Sequence, residues 1–355
     1  MVRCVVLFQC ESSVHYSLST PFSATAPPRL KMEHRKTPSP AILSPKSAPK
    51  LDLEALEKLR LSGRIACSAR ELAISKVLPG VTLRAVMDEV ESFIRDSGGG
   101  PAFPAQTSRN AIAAHYCPAP NDATVYQEGD VVKVDIGVEV DGWVSDNAET
   151  KYLGEDPALH KLVRASQDAL EDALSLAGPG VMVSELSKAI ESAITRHGFR
   201  PVYNLTGHGV DRWKVHCAPQ IPPTPDRHRD TQLLPGMVIA IEPFATDGEG
   251  TVGDKGRAEV FMVLRSPRKM KGVDRDVWEV IERMNGLPFA RCTFPPALRG
   301  EKLESSLQRL LRVGSIMAFP PLVDPKPGVM ISQAEHTALI LEDGIEIITG
   351  TPLEG

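Results

Sequence analysis

Apolar residues recur at helical spacing from Leu51 onward: Leu53, Leu56, Leu59 and Leu61, with Ile65 and Ala66 continuing the stripe. Leu78-Pro79-Gly80 punctuates it, and a second helix is predicted over about 82–97, closed by Gly98-Gly99-Gly100. From 103 to 150 the texture changes to strands and turns. Two more helices, about 157–177 and 183–197, are separated by Gly178-Pro179-Gly180. Strand-like segments follow near 202–206, 237–242 and 257–264. Residues about 274–313 read as helical with a break at Phe294-Pro295-Pro296, and 328–349 as closing strands. Helices and strands mix without strict alternation, which predicts an α+β fold rather than a doubly wound sheet. No short-period repeat is visible.

The cleanest pattern lies at 132–140. Val132, Val134, Ile136, Val138 and Val140 alternate with Lys133, Asp135, Gly137 and Glu139, a strand with one dry and one polar face. Asp141-Gly142 is a favoured two-residue hairpin turn. With that turn at the tip, Val140 faces Trp143, Gly137 faces Asp146 and Asp135 faces Ala148. Asp135 and Asp146 then share a face as diagonal neighbours, ~7–8 Å apart. Two carboxylates aimed at one spot repel unless a cation lies between them. Metals in a dinuclear site stand ~3.5–4 Å apart, which this spacing can serve. Taken alone, the hairpin is better read as two solvated acids on an exposed face, so a metal site needs ligands from elsewhere.

Val238-Ile239-Ala240-Ile241 is a continuous apolar run ending on Glu242, and Val329 to Leu341 reads as one strand with Glu335 in its middle. A carboxylate in such a setting is costly unless paired or metal-bound; the plainer alternative for each is a rim position or a salt bridge. Gly207-His208-Gly209 is predicted in a loop after the strand from Val202 to Thr206, with His216 beyond it and His115 in the segment Asn110 to Tyr116. A lone histidine is most often a satisfied core or surface residue, and His34, His160, His197 and His228 are left in that class.

Composition changes this picture mainly at the N-terminus. The 355 residues suffice for one large domain or two ordinary ones, and 42% hydrophobic with 24% charged residues is a soluble globular balance. The net charge of −5 comes without a basic stripe or acidic run, and no apolar run approaches the ~20 residues of a membrane span, so neither nucleic acid nor membrane is an expected partner. Cys4, Cys10, Cys67, Cys117, Cys217 and Cys292 form no CxxC pair and read as reduced thiols of a cytoplasmic protein. Residues 1–50, rich in Ser, Pro and Lys, read as a disordered leader. Two readings of it stay open: a weak targeting peptide, since Glu11 is the one acid before Met32, or an over-extended start with Met32 the true beginning.

Five segments in order, AFPAQTSRNAIAAHY, VVKVDIGVEVDGWVSD, NLTGHGVDRWKVHCAPQIP, MVIAIEPFAT and AEHT, resemble the methionine aminopeptidases over about residues 51–355. NLTGH, IEPF and the long stretch between Glu242 and Glu335 resemble the type II enzymes, which carry a helical, winged-helix-like insertion there. The resemblance implies the pita-bread fold: two α+β halves about a pseudo-twofold axis, with 51–261 and 323–355 as the catalytic domain and 262–322 as the insertion. It implies metal ligands Asp135, Asp146, His208, Glu242 and Glu335 for two divalent ions. Asp146 and Glu335 would bridge, Asp135 would complete one shell, and His208 with Glu242 the other. Such oxygen-rich ligation with one imidazole suits Co, Mn, Fe or Zn.

The implied reaction removes the initiator methionine of nascent polypeptides when the second residue is small. A bridging hydroxide attacks the methionine carbonyl, Glu242 shuttles the proton, His216 supports the carbonyl oxygen and His115 contacts the scissile amide. Phe103, Val215 and Phe319 would line the methionine slot. The implied enzyme works as a monomer in the cytoplasm, with a transient ribosome contact. Ala334, Phe319 and Thr206 depart from the family's usual Phe, Tyr and Asn, without removing a ligand. The alternatives are an Xaa-Pro peptidase of the same fold, or a non-catalytic binding protein of that fold.

Overall fold

The computed structural model describes residues 51–226 and 230–353. The expectations for the leader, Met32, His34, His228 and the first two cysteines lie outside the described residues.

Helices α1 (Leu53–Lys76) and α2 (Leu83–Asp96) are followed by short strands β1 (Gly100–Pro101), β2 (Gln106–Arg109) and β3 (Ile112–Ala114), then the hairpin β4 (Val131–Val140) and β5 (Trp143–Tyr152). A second helix pair, α3 (Pro157–Leu176) and α4 (Val183–Arg196), precedes β6 (Arg200–Pro201), β7 (Gly207–Asp211), β8 (Lys214–Ile221), β9 (Val238–Ile241) and β10 (Phe244–Thr246). Then come β11 (Gly253–Asp254), β12 (Val260–Val263), α5 (Arg275–Arg283), β13 (Phe289–Ala290), α6 (Glu301–Arg312) and β14 (Ile316–Phe319). Strands β15 (Leu322–Val323), β16 (Ile331–Gln333), β17 (Glu335–Ile340) and β18 (Ile345–Ile347) close the chain.

The central sheet runs β1-β4-β5-β17-β9-β7-β8, with β2 also on β4 and β18 on β17. Each helix pair covers one part of it. Ile65, Ala69, Val86 and Val90 pack on the dry face of β4, namely Val132, Val134, Ile136 and Val138. Leu162, Ala169, Leu186, Ile190 and Ile194 pack on Ile239, Ile241 and Ile340. The polar positions of β4 therefore face away from the helices, into the space the site occupies. This is the pita-bread, α+β architecture.

The two halves echo each other at a long period. Pro79-Gly80-Val81 leads into α2 and Pro179-Gly180-Val181 into α4, and Gly80 and Gly180 share φ values of 85° and 87°. Gly98 and Gly198, at 86° and 81°, then turn the chain into β1 and β6. Both turns need a left-handed residue, which glycine supplies without steric cost. At the same offset the halves also share Glu91-Ser92 with Glu191-Ser192, Pro101 with Pro201, and the buried helix positions Leu83, Val86, Val90 and Ile94 with Val183, Leu186, Ile190 and Ile194.

Two strand expectations need correction. His208 lies within β7, not in a loop, and the segment 202–206 is a turn. Glycines at 207 and 209 lower strand propensity, yet here they permit close approach: a Cβ on Gly207 would stand 2.6 Å from the Ala240 oxygen, and one on Gly209 2.2 Å from the Ala218 oxygen. The segment from Val329 to Leu341 is two strands in different sheets, because Gln333 pairs with Phe244 of β10 while Glu335 pairs with Ala148 of β5. Glu335 thus opens β17 rather than standing mid-strand.

The chain between β12 and β14 has its own core, in which Phe261, Trp278, Phe289, Phe294, Leu307 and Ile316 pack under α5 and α6. Its helices are shorter than the span 274–313, since β13 and two short 3-10 turns separate them.

Candidate metal centre

The hairpin register is the one read from the sequence: Val140 faces Trp143, Gly137 faces Asp146 and Asp135 faces Ala148. Asp141 and Gly142 both adopt positive φ, 50° and 85°, as the turn requires. The space beside Gly137 is filled by the Phe103 ring, whose Cε1 would lie 2.2 Å from an added Cβ. β17 pairs with β5 and β9, and β7 with β9, which brings Glu335, the end of β9 and His208 to the hairpin's polar face.

All ten residues singled out above line one cavity of about 270 Å³: Asp135, Asp146, His208, Glu242 and Glu335, with His115 and His216, and with Phe103, Val215 and Phe319 as apolar wall. Ligand atoms of Asp146, His208 and Glu335 lie within 4.8 Å of one another. His208 Nε2 stands 3.6 Å from Glu242 Oε1 and 3.9 Å from Asp146 Oδ2. The backbone of Asp146 is fixed by its N–H donating to Thr337 Oγ1 at 2.8 Å.

These donors fit a multivalent cation. Asp135 Oδ1, Asp146 Oδ1 and Glu335 Oε1 are buried and have no hydrogen-bond partner. A buried unpaired carboxylate is strongly disfavoured, and several together more so. Lys133, two positions before Asp135 on the same face, does not relieve them: its ammonium donates to the carbonyl oxygens of Asn110 at 3.0 Å and Ile331 at 2.9 Å.

The cost appears in the proton affinities. Burial pushes the Asp135 carboxyl up to about 7, against a lowering contribution from the Gln333 amide. Asp146 is raised well above the usual range by burial and then by the charge of Asp135. Glu242 and Glu335 are raised by burial first and by the neighbouring carboxylates next. The histidines move the other way. Burial and then His216 hold His208 well down, and burial with His115 pushes His216 down to about 4. His115 is lowered by burial, opposed by a hydrogen bond at the Pro320 backbone. All three imidazoles are neutral at physiological pH, able to donate one N–H each.

The His208 and His216 rings meet edge-on at 4.3 Å, and His115 meets Phe319 the same way at 5.6 Å. His115 has a φ of 65°, and its N–H donates to Gln106 Oε1 at 2.8 Å. Gln106, Asn204, Leu205, Met262 and Pro288 also line the cavity. Gln106, Asn204 and Leu205 fall inside segments that carry the family resemblance, but no hydrophobic or polar period singles them out, and Met262 and Pro288 lie outside those segments. Phe319 and Thr206 line the cavity too, whereas Ala334 packs into the core under α3 and α4.

The sequence profile of metallopeptidase family M24 matches residues 57–289. A methionine aminopeptidase of Archaeoglobus fulgidus is 42% identical over 300 residues, 84% of this chain and 99% of the relative. A methionine aminopeptidase structure from Thermotoga maritima aligns with a TM-score of 0.61 at 25% identity, over 84% of this chain and 98% of that one. A prolidase from Pyrococcus horikoshii shares the fold, with a TM-score of 0.56 at 20% identity, and the alignment spans 85% of this chain but 64% of that one.

Proposed function

The chain belongs to metallopeptidase family M24, and from that premise we propose that it is a methionine aminopeptidase, removing the initiator methionine from polypeptides whose second residue is small. The observation that carries the reading is the joining of two features in one cavity. Two buried carboxylates, Asp146 and Glu335, two partly buried ones, Asp135 and Glu242, and a neutral imidazole converge beside an apolar wall of Phe103, Val215 and Phe319. A methionine side chain, flexible and apolar, suits that wall.

Asp135, Asp146, His208, Glu242 and Glu335 would hold two divalent ions, Co, Mn, Fe or Zn. When bound, such ions supply charge neutralisation and Lewis acidity. The chain's own groups do the rest. Glu242 takes a proton from the water whose oxygen adds to the methionine carbonyl carbon, and passes it to the amide nitrogen as the C–N bond breaks. Neutral His216 donates its N–H to the substrate carbonyl oxygen, where negative charge develops. His115 donates to the backbone around the scissile amide and orients it. Residues 262–322 form the insertion subdomain on the catalytic body of 51–261 and 323–355, and its Met262, Pro288 and Phe319 line the cavity. The substrates are N-termini of nascent chains, met in the cytoplasm by a monomer in transient contact with the ribosome. Among the described residues no helix is long and apolar enough to cross a membrane.

The test is methionine release from Met-Ala-Ser by metal-stripped protein, with and without Mn, Co, Fe or Zn. Metal-dependent release is expected. Cleavage of Xaa-Pro dipeptides but not Met-Ala-Ser would transfer the assignment to a prolidase, and no cleavage with any metal would leave a binding protein.

A further inference from the structure

One buried amide lies among the carboxylates without belonging to the ligand set. Gln333, the last residue of β16, is 1% exposed. Its Nε2 stands 3.5 Å from Asp135 Oδ2, 3.5 Å from Glu242 Oε2 and 3.4 Å from Glu335 Oε2. A single amide nitrogen is therefore shared by acids from β4, from the end of β9 and from β17. Its orientation is forced: exchanging nitrogen and oxygen would set a carbonyl oxygen against three carboxylates. The Gln333 Oε1 is buried and has no partner, so the hydrogen bonds the side chain does make are all to these acids.

Gln333 is itself held. The Thr150 hydroxyl donates to the backbone carbonyl oxygen of Gln333 at 2.6 Å and accepts from its backbone N–H at 2.8 Å. Thr150 is buried on β5, so the clamp belongs to the hairpin that carries Asp135 and Asp146. Gln333 also stands where the chain leaves one sheet for another, pairing with Phe244 just before Glu335 enters the central sheet.

We propose that Gln333 is a positioning residue of the metal centre: its amide nitrogen holds the carboxylates of Asp135, Glu242 and Glu335 turned inward, ready for cations, with Thr150 fixing the backbone that carries it. The inference rests on the metal-centre reading above. The choice of side chain follows from charge. A lysine or arginine would neutralise the acids and compete with the cation. A glutamate would add one more negative charge that the ions must balance. An apolar residue would leave three oxygens without a donor. An amide supplies a dipole with no net charge, organising the acids while leaving their attraction for cations intact.

The experiment is Mn2+ titration into metal-stripped wild-type, Asp146→Ala, Thr150→Val and Gln333→Met proteins by calorimetry, with folding checked by circular dichroism. Gln333→Met is expected to weaken the Mn2+ Kd by about 10- to 100-fold. At saturating Mn2+ it should lower kcat on Met-Ala-Ser while leaving KM unchanged, since methionine is held elsewhere. Thr150→Val should shift the Kd in the same direction by a smaller factor, and it decides the matter if Gln333→Met does not fold. A wild-type Kd retained by folded Gln333→Met, or by Thr150→Val in its place, would overturn the inference while the metal centre stands on Asp146→Ala losing Mn2+. Wild-type protein that binds no Mn2+ would overturn both.

Discussion

Asp146 and Glu335 are almost fully buried, and each keeps one carboxylate oxygen without a partner. Such atoms are tolerable when a cation completes them and costly when none does. Asp146→Ala should therefore lose bound metal, measured by elemental analysis after desalting. The same substitution should raise the melting temperature of the metal-free protein, because it removes one of four mutually repelling acids; a lower one would mean the acids are relieved some other way. His216 differs, being neutral and contributing a hydrogen bond rather than a ligand bond. His216→Ala should keep its metal and lose about 10²- to 10³-fold in kcat, and unchanged turnover would remove it from the mechanism.

At the scale of elements, the hairpin was the most legible part of the site. Period-two patterning and one Asp-Gly turn set its register, and register alone decides which acids share a face. The strand carrying His208 was not legible, because its glycines serve close backbone packing that no local propensity records. Gly137 has a role that appears only in the folded molecule. A methyl group there would collide with the Phe103 ring, part of the apolar wall. Gly137→Ala should raise KM for Met-Ala-Ser several-fold and leave the Mn2+ Kd nearly unchanged. A metal Kd that weakened as much as KM rose would show the strand itself had moved.

For the whole molecule, stability and metal occupancy are linked through protons. In the metal-free protein the four acids bind protons more tightly than in the unfolded chain, with Asp135 at about 7. Groups raised in this way stabilise the fold at low pH, and that stability is lost as pH rises through their folded values. The melting temperature of the metal-free protein should accordingly fall as pH rises above about 6.5, where the lowered histidines, charged below that pH only in the unfolded chain, no longer oppose the acids. Saturating Mn2+ should abolish or reverse the fall, because the cation replaces the protons. Calorimetric scans with and without chelator measure this directly. Equal pH profiles in both states would mean that the acids are not the metal's ligands.

The helix pairs, the α+β class, the hairpin register and the residue types of a metal centre were all present in local order, because each depends on neighbours in sequence. The family likeness in five ordered segments extended that to His208, Glu242 and Glu335. Tertiary structure alone decided how those segments meet: that β17 lies between β5 and β9, that Glu335 opens a strand rather than interrupting one, that Phe103 fills the space beside Gly137, and that Gln333 reaches three carboxylates at once. The physical reason is common to all of these. They depend on pairings between strands remote in the chain, and the geometry of such a pairing is set by packing across the sheet rather than by the residues on either side.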